Sequence, residues 1–181
     1  MKKMLFLTKA YDFAAQKHTK QRRKGVNDVP YINHPIEVAN LLCYCCDNED
    51  ADLLIAAVLH DTIEDTDATE QEVCDLFGAE IGSLVMEVTD DMRLSKKVRR
   101  RLQIEKAHNL SDRAKQIKVA DKTCNIIDML TTRLEWTKRR KKEYISWAAE
   151  VVGHCRGVNL KLDKEFDKAY KLAENTLGPI S

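Results

Sequence analysis

A chain of 181 residues is most simply one domain, 1–181, because a domain ordinarily takes about 100–200 residues. Thirty Lys and Arg against 29 Asp and Glu leave a net charge of +1, which argues against a protein that wraps nucleic acid by bulk electrostatics and confines any basic site to a local cluster. No run approaches the roughly 20 apolar residues of a membrane span, Lys9 interrupts the opening MKKMLFLTKAYDF too soon for a secretory segment, and six cysteines without an export signal fit a reducing cytoplasm where disulfides are not expected.

Gly and Pro are scarce, strand-like alternation is nearly absent, and apolar residues recur at three and four, so the chain reads as all-α. LFLTKAYDFAAQKH predicts a first helix, followed by the polar, basic loop TKQRRKGVNDVPYIN. Asn33 is expected to cap a second helix, with Pro35 near its first turn where a missing N–H costs nothing. Cys43 and Cys46 form a C-x-x-C in that helix. A structural zinc needs a second pair, which Cys74, Cys124 and Cys155 do not supply, so both read as small packing residues.

ADLLIAAVLHD is apolar on nearly every side and predicts a central helix wrapped by its neighbours. Thr69 and Glu72 give a capping box for EQEVCDLF, which Gly78 stops. After AEIGSLVMEVTD comes the charged stretch DMRLSKKVRRRLQIEKAHNL, read without a helix of its own. Ser111 then starts a long helix through AKQIKVADKTCNIIDML, and helices at about 138–154 and 159–175 finish the chain.

The chemistry concentrates in AVLHDTIEDT. On a continuous helix His60 sits over Glu64 and Asp61 over Asp65. Taken alone, His60 and Asp61 read equally well as the hydrogen-bonded end of a core helix, with EDTD as a solvated loop. Two further residues extend the pattern: His34 ahead of Pro35, and Asp121 among the apolar residues of IKVADKTCNII. A mid-helix aspartate with a buried face is costly unless a cation compensates it, and Lys122 is one such cation. Two imidazoles and two carboxylates make a mixed nitrogen and oxygen set, which suits manganese, iron, zinc or magnesium, in that order, and disfavours thiolate-loving metals.

The adjacent His60-Asp61, with a histidine upstream and an aspartate downstream, resembles the HD-domain metal-dependent phosphohydrolases. The ordered blocks QRRKG, PYINHPIEVANLL, AAVLHDTIEDT, FGAEIGSLVMEVTD and AKQIKVADKTCN are similar to the hydrolase domain of the RelA/SpoT group, and most of all to its small stand-alone members of the Mesh1 type. The likeness covers nearly the whole chain. It implies an all-helical HD-domain bundle that removes the 3′-pyrophosphate of ppGpp and pppGpp, usually with Mn²⁺, with Zn²⁺ or Fe²⁺ also compatible with the ligands.

Carried over by the same resemblance, the metal ligands are His34, His60, Asp61 and Asp121, while Glu64 and Asp65 orient and activate the attacking water. Arg23 lies against the nucleobase, Lys24, Lys96 and Arg140 meet phosphates, Asn125 faces the sugar, and Tyr144 belongs to the same basic segment. His18 matches a family position and is read as structural. Thr123 and Cys124 depart from the family pattern and are expected to alter the pocket wall without touching a ligand. No synthetase segment follows in this sequence, which implies a chain that degrades alarmone and does not make it.

Three other readings stand beside this one: an NADPH 2′-phosphatase using the same metal site, a non-catalytic alarmone-binding module, and an all-α nucleic-acid binder. The last is disfavoured by the near-zero net charge and by the lack of aromatics interleaved with KKVRRR. The expected partner is therefore a small nucleotide, with no nucleic acid and no membrane.

Overall fold

The computed structural model describes residues 2–25, 28–46, 50–132 and 134–180, and among these it has ten helices and no strand, with one isolated bridge between Arg22 and Pro30. The helices are α1 (Lys2–Lys17), α2 (Asn33–Cys45), α3 (Ala51–Leu59), α4 (Thr62–Asp65), α5 (Glu70–Phe77), α6 (Ala79–Val88), α7 (Lys96–Ala107), α8 (Asp112–Thr131), α9 (Lys138–Gly153) and α10 (Leu160–Leu177). Val26 and Asn27, in the predicted basic loop, lie outside the described residues. No helix among the described residues is long and apolar enough to cross a membrane.

α3 is the axis the sequence predicts. Every side chain from Leu53 to Leu59 is buried, and α1, α2, α6 and α8 pack around it. Burying Leu53, Ile55 and Leu59 contributes about 1.5–3 kcal/mol each, enough to hold a helix whose end carries polar groups. Asp50 caps its start by accepting from the Leu53 N–H at 3.1 Å, and the same carboxylate pairs with Arg113 at 2.7 Å, tying α3 to the first turn of α8.

α8 is the second axial element. All residues from Ile117 to Cys124 are buried, including Lys118, Asp121, Lys122 and Thr123, because α2, α3, α6, α9 and α10 pack around this helix. The Ser111 hydroxyl accepts from the Ala114 N–H and starts the helix where the sequence predicts. Thr69 likewise caps α5 from the Glu72 N–H, and Gly78 ends α5 at a φ of 98°, where a side chain would be strained.

Three local features differ from the sequence reading. Ile32, not Asn33, holds the cap position of α2, and no side chain caps it; Asn33 is its first helical residue. Helicity does not continue from His60 into Glu64. α3 stops at Leu59, where the His60 ring hydrogen-bonds the Ala57 carbonyl (2.7 Å) and the Thr62 hydroxyl bonds the Leu59 carbonyl (2.6 Å), so side chains occupy carbonyls that a continuing helix would use. The charged stretch, finally, contains α7, which Ser95 caps from the Val98 N–H. Only Ala107 is buried in that helix, so a search for a broad apolar face passes over it.

Candidate metal centre and its cavity

Three elements converge below the surface. The second residue of α2 presents His34, the α3–α4 junction presents His60 and Asp61, and the middle of α8 presents Asp121. His34 Nε2 lies 3.1 Å from Asp121 Oδ1 and 3.7 Å from Asp61 Oδ2, and His60 Nε2 lies 3.2 Å from Asp61 Oδ2 and 4.0 Å from Asp121 Oδ1. The two rings meet edge on, with centroids 5.3 Å apart. Among the described residues, ligand atoms of His34, His60 and Asp121 all fall within 4.8 Å of one another, and the Asp61 carboxylate stands beside both imidazoles.

The chemistry of these atoms fits a divalent cation. His60 Nδ1 can only donate to the Ala57 carbonyl, which leaves Nε2 as an unprotonated lone pair when the ring is neutral. That Nε2 is buried without a hydrogen-bond partner among the described residues, as is His34 Nδ1. An imidazole lone pair 3.2 Å from a carboxylate oxygen requires a positive charge between them, whether a proton or a metal. Without a metal, burial works against the imidazolium, but the Asp61 carboxylate outweighs it and lifts His60 to about 9. Burial also opposes ionisation of Asp61, yet His60 and His34 hold its carboxyl below the usual range. Burial opposes ionisation of Asp121 as well, and the Lys122 ammonium at 2.8 Å, with His34, holds that carboxyl well down. Lys122 is correspondingly raised: burial lowers it, and Asp121 more than compensates.

Next to the cluster is a cavity of about 430 Å³, lined by none of the four cluster residues but by Tyr31 and Asn125, which hydrogen-bond two of them. Its floor is coupled to the ligands through two hydrogen bonds: Tyr31 donates its hydroxyl to Asp61 Oδ2 (2.6 Å), and Asn125 donates its amide to Asp121 Oδ1 (2.5 Å). Both carboxylates of α4 line it. Glu64 Oε2 accepts from the Asp90 N–H at 2.9 Å, and Asp65 Oδ2 accepts from Gln21 Nε2 at 2.9 Å. Burial pushes the Glu64 carboxyl up to about 7, against the Asp90 amide and with the help of the Asp61 charge.

Of the six residues predicted to contact substrate, Arg23, Lys24, Lys96, Asn125 and Tyr144 line this cavity. Arg140 does not, and instead its guanidinium lies 4.1 Å from the centre of the Trp136 ring at the cavity wall. Arg23 is engaged in its own plane, at 2.7 Å to Asp128 and 3.0 Å to Asn125 Oδ1, with Tyr31 below at 5.6 Å. Asn125 is thus held at both ends, by Arg23 and by Asp121. Burial raises the Tyr144 hydroxyl to about 12. Thr123 and Cys124, expected at the pocket wall, are buried in α8 and do not line it: they occupy the side of α8 turned to the core. His18 is buried behind Gln21.

Sequence reasoning missed Arg100, Trp136, Trp147 and Gln21, all of which line the cavity. Arg100 lies 5.6 Å from the Tyr144 ring and 4.8 Å from the Trp147 ring, whose N–H holds the Arg100 carbonyl at 3.0 Å. Lys122 lies 4.8 Å from the same Trp147 ring, so this indole joins the cation wall to the Asp121 partner. The available signal was spacing: once 96–107 is helical, Lys96, Arg99 and Arg100 share a face. Burial and then the neighbouring charges of Arg100, Lys24 and Arg140 depress Lys96, the signature of cations gathered for an anion.

Residues 10–147 match the HD domain family. The chain is 47% identical over 166 residues, 91% of its length and 93% of the relative's, to the guanosine-3′,5′-bis(diphosphate) 3′-pyrophosphohydrolase MESH1 of Homo sapiens. It is 45% identical over 160 residues to the protein of that name from Drosophila melanogaster, covering 88% of this chain and 89% of the relative. A solved structure described as a metazoan ortholog of SpoT that hydrolyzes ppGpp superposes with a TM-score of 0.88 at 42% identity, over 92% of this chain and 94% of that one.

Proposed function

Because this chain belongs to the HD-domain family, we propose that its cavity binds guanosine 3′,5′-bis(diphosphate), or the pppGpp homologue, and releases pyrophosphate from the 3′ position. The observation that carries the reading is the joining of two unlike features. A buried cluster of two imidazoles and two carboxylates is joined through Tyr31 and Asn125 to a cavity edged by Lys24, Lys96, Arg99 and Arg100.

His34, His60, Asp61 and Asp121 are the proposed ligands, and manganese is the proposed ion. A divalent cation, if bound by these residues, would supply Lewis acidity towards a phosphoryl oxygen and lower the pKa of the attacking water. Glu64 and Asp65 stand on α4 and line the cavity; in this reading they hydrogen-bond the attacking water, and Glu64 takes its proton. The water oxygen bonds to the phosphorus attached to the 3′ oxygen, the bond from that phosphorus to the 3′ oxygen breaks, and the 3′ oxygen takes a proton to become the hydroxyl of GDP.

Lys24, Lys96, Arg99 and Arg100, which edge the cavity, neutralise the two diphosphate ends, and Arg140 acts only through the Trp136 ring on which it stacks. Arg23 keeps its in-plane pair with Asp128, and since Tyr31 occupies one side of the guanidinium, the opposite side is the one offered to the guanine ring. Asn125 completes the sugar side while it fixes Asp121.

The test is product identification. Purified protein is incubated with Mn²⁺ and ppGpp, in parallel with NADPH, and the products are separated by anion exchange. Equimolar GDP and pyrophosphate are expected from ppGpp. Orthophosphate from NADPH with ppGpp untouched would replace the reading with a 2′-phosphatase, and tight ppGpp binding without turnover would replace it with a sensing module.

A further inference from the structure

His18 follows the last residue of α1, is only 2% exposed and does not line the cavity. Its Nδ1 lies 2.6 Å from Gln21 Oε1, and Gln21 Nε2 lies 2.9 Å from Asp65 Oδ2, so three side chains run from the core to a carboxylate of the cavity. Electrostatics fixes the direction of both bonds. With the amide turned over, Gln21 Oε1 would face the Asp65 carboxylate, acceptor against acceptor. The NH₂ group therefore donates to Asp65, Oε1 accepts, and His18 must carry its proton on Nδ1 because Oε1 has none to give.

The surroundings leave Gln21 little other guidance. Its backbone is held on both sides, its N–H donating to the His18 carbonyl at 2.9 Å and its carbonyl accepting from the Tyr31 N–H at 3.1 Å, so the side chain is what remains to be set. The Tyr31 ring packs over the imidazole at 4.9 Å between centroids and fixes the ring plane. His18 Nε2 is buried with no hydrogen-bond partner among the described residues, so the bond from Nδ1 is the polar contact that this ring makes there.

We infer that His18 is a positioning residue for the hydrolytic reaction, orienting Asp65 towards the reacting water through the Gln21 amide. The inference rests on the proposed role of Asp65. A purely structural His18 predicts lower stability and nothing more. A positioning His18 predicts a loss of turnover that vanishes when Asp65 is already disabled.

The first readout needs no substrate. Long-range proton–nitrogen NMR of the wild-type protein reports which ring nitrogen of His18 is protonated: Nδ1–H is expected, and Nε2–H overturns the inference. The second is kinetic. His18→Leu should lower kcat by about 10- to 100-fold, the scale typical of losing an orienting partner, with KM and Mn²⁺ affinity within about twofold of wild type. His18→Asn, which keeps an N–H donor near the Nδ1 position, should recover most of that loss. In an Asp65→Asn background His18→Leu should cause no further fall in kcat. Unchanged kcat in His18→Leu, or losses that multiply in the double variant, would overturn it. If His18→Leu does not fold, Gln21→Leu takes its place in the same cycle with Asp65→Asn. A wild-type protein with no ppGpp turnover sinks the proposed reaction instead, and the substrate-free tautomer readout tells the two failures apart.

Discussion

Lys122→Met removes the ammonium that neutralises Asp121 and keeps most of the side-chain volume under Trp147. The pair is 2.8 Å apart and both residues are buried, at 4% and 8% exposure. Breaking a buried pair by deleting one partner costs about 3–5 kcal/mol, because the other charge stays behind; here Asp121 would keep only the His34 and His60 rings and the Asn125 amide. For a chain of this size each kcal/mol moves the midpoint by about 2–4 °C, so the chelator-treated variant should melt roughly 6–20 °C below wild type. A divalent cation at about 100 times its Kd returns about 2.7 kcal/mol to any protein that binds it only when folded. At one fixed Mn²⁺ concentration the variant should gain more than wild type, because Asp121 then gives its whole charge to the metal. Scanning calorimetry of both proteins, stripped and with Mn²⁺, reads the two effects. A stripped variant within about 2 °C of wild type, or equal gains from Mn²⁺, would refute the account of Asp121 as a buried anion shared between Lys122 and a metal.

His60→Ala should abolish both the Mn²⁺-linked rise in melting temperature and hydrolysis, measured by calorimetry and by product chromatography. Glu64→Gln should keep the thermal response to Mn²⁺ while losing about 10²- to 10⁴-fold in kcat, the usual worth of a general base; loss of the thermal response would move Glu64 among the ligands. Arg100→Ala should raise KM by about 10- to 100-fold with kcat nearly kept, since a charge-assisted contact to phosphate is worth about 1.5–3 kcal/mol. That penalty should shrink in kinetics run at high salt.

The sequence disclosed the parts of this protein whose cause is local. The cap residues Thr69 and Ser111, the glycine stop at Gly78 and the solidly apolar run of α3 are each set by neighbours a few positions away, and the structure has them where expected. The convergence of His34, His60 and Asp121 is a long-range property. It was legible only because a buried aspartate in α8 demanded a cation and because the motif order matched a family.

The break after Leu59 was hidden for a different reason: His, Asp, Thr and Ile are only modest helix formers, and propensity does not say that His60 and Thr62 will bond to the carbonyls of the preceding turn. α7 was hidden by its composition, with half-buried Val98, Leu102 and Ile104 scattered among charges. With that helix went the register that brings Arg100 under Tyr144 and Trp147. Arg140, expected to meet phosphate, does not line the cavity and stacks on Trp136, which lies on a connecting segment with no periodicity to read.

The claim on which everything else stands is that a single divalent ion sits among His34, His60, Asp61 and Asp121. Anomalous diffraction at the manganese edge from crystals grown with Mn²⁺ locates the ion without reference to activity. One strong peak is predicted within bonding distance of imidazole nitrogens of His34 and His60 and of carboxylate oxygens of Asp61 and Asp121. A peak elsewhere, or none in crystals of protein that turns over ppGpp, would contradict it.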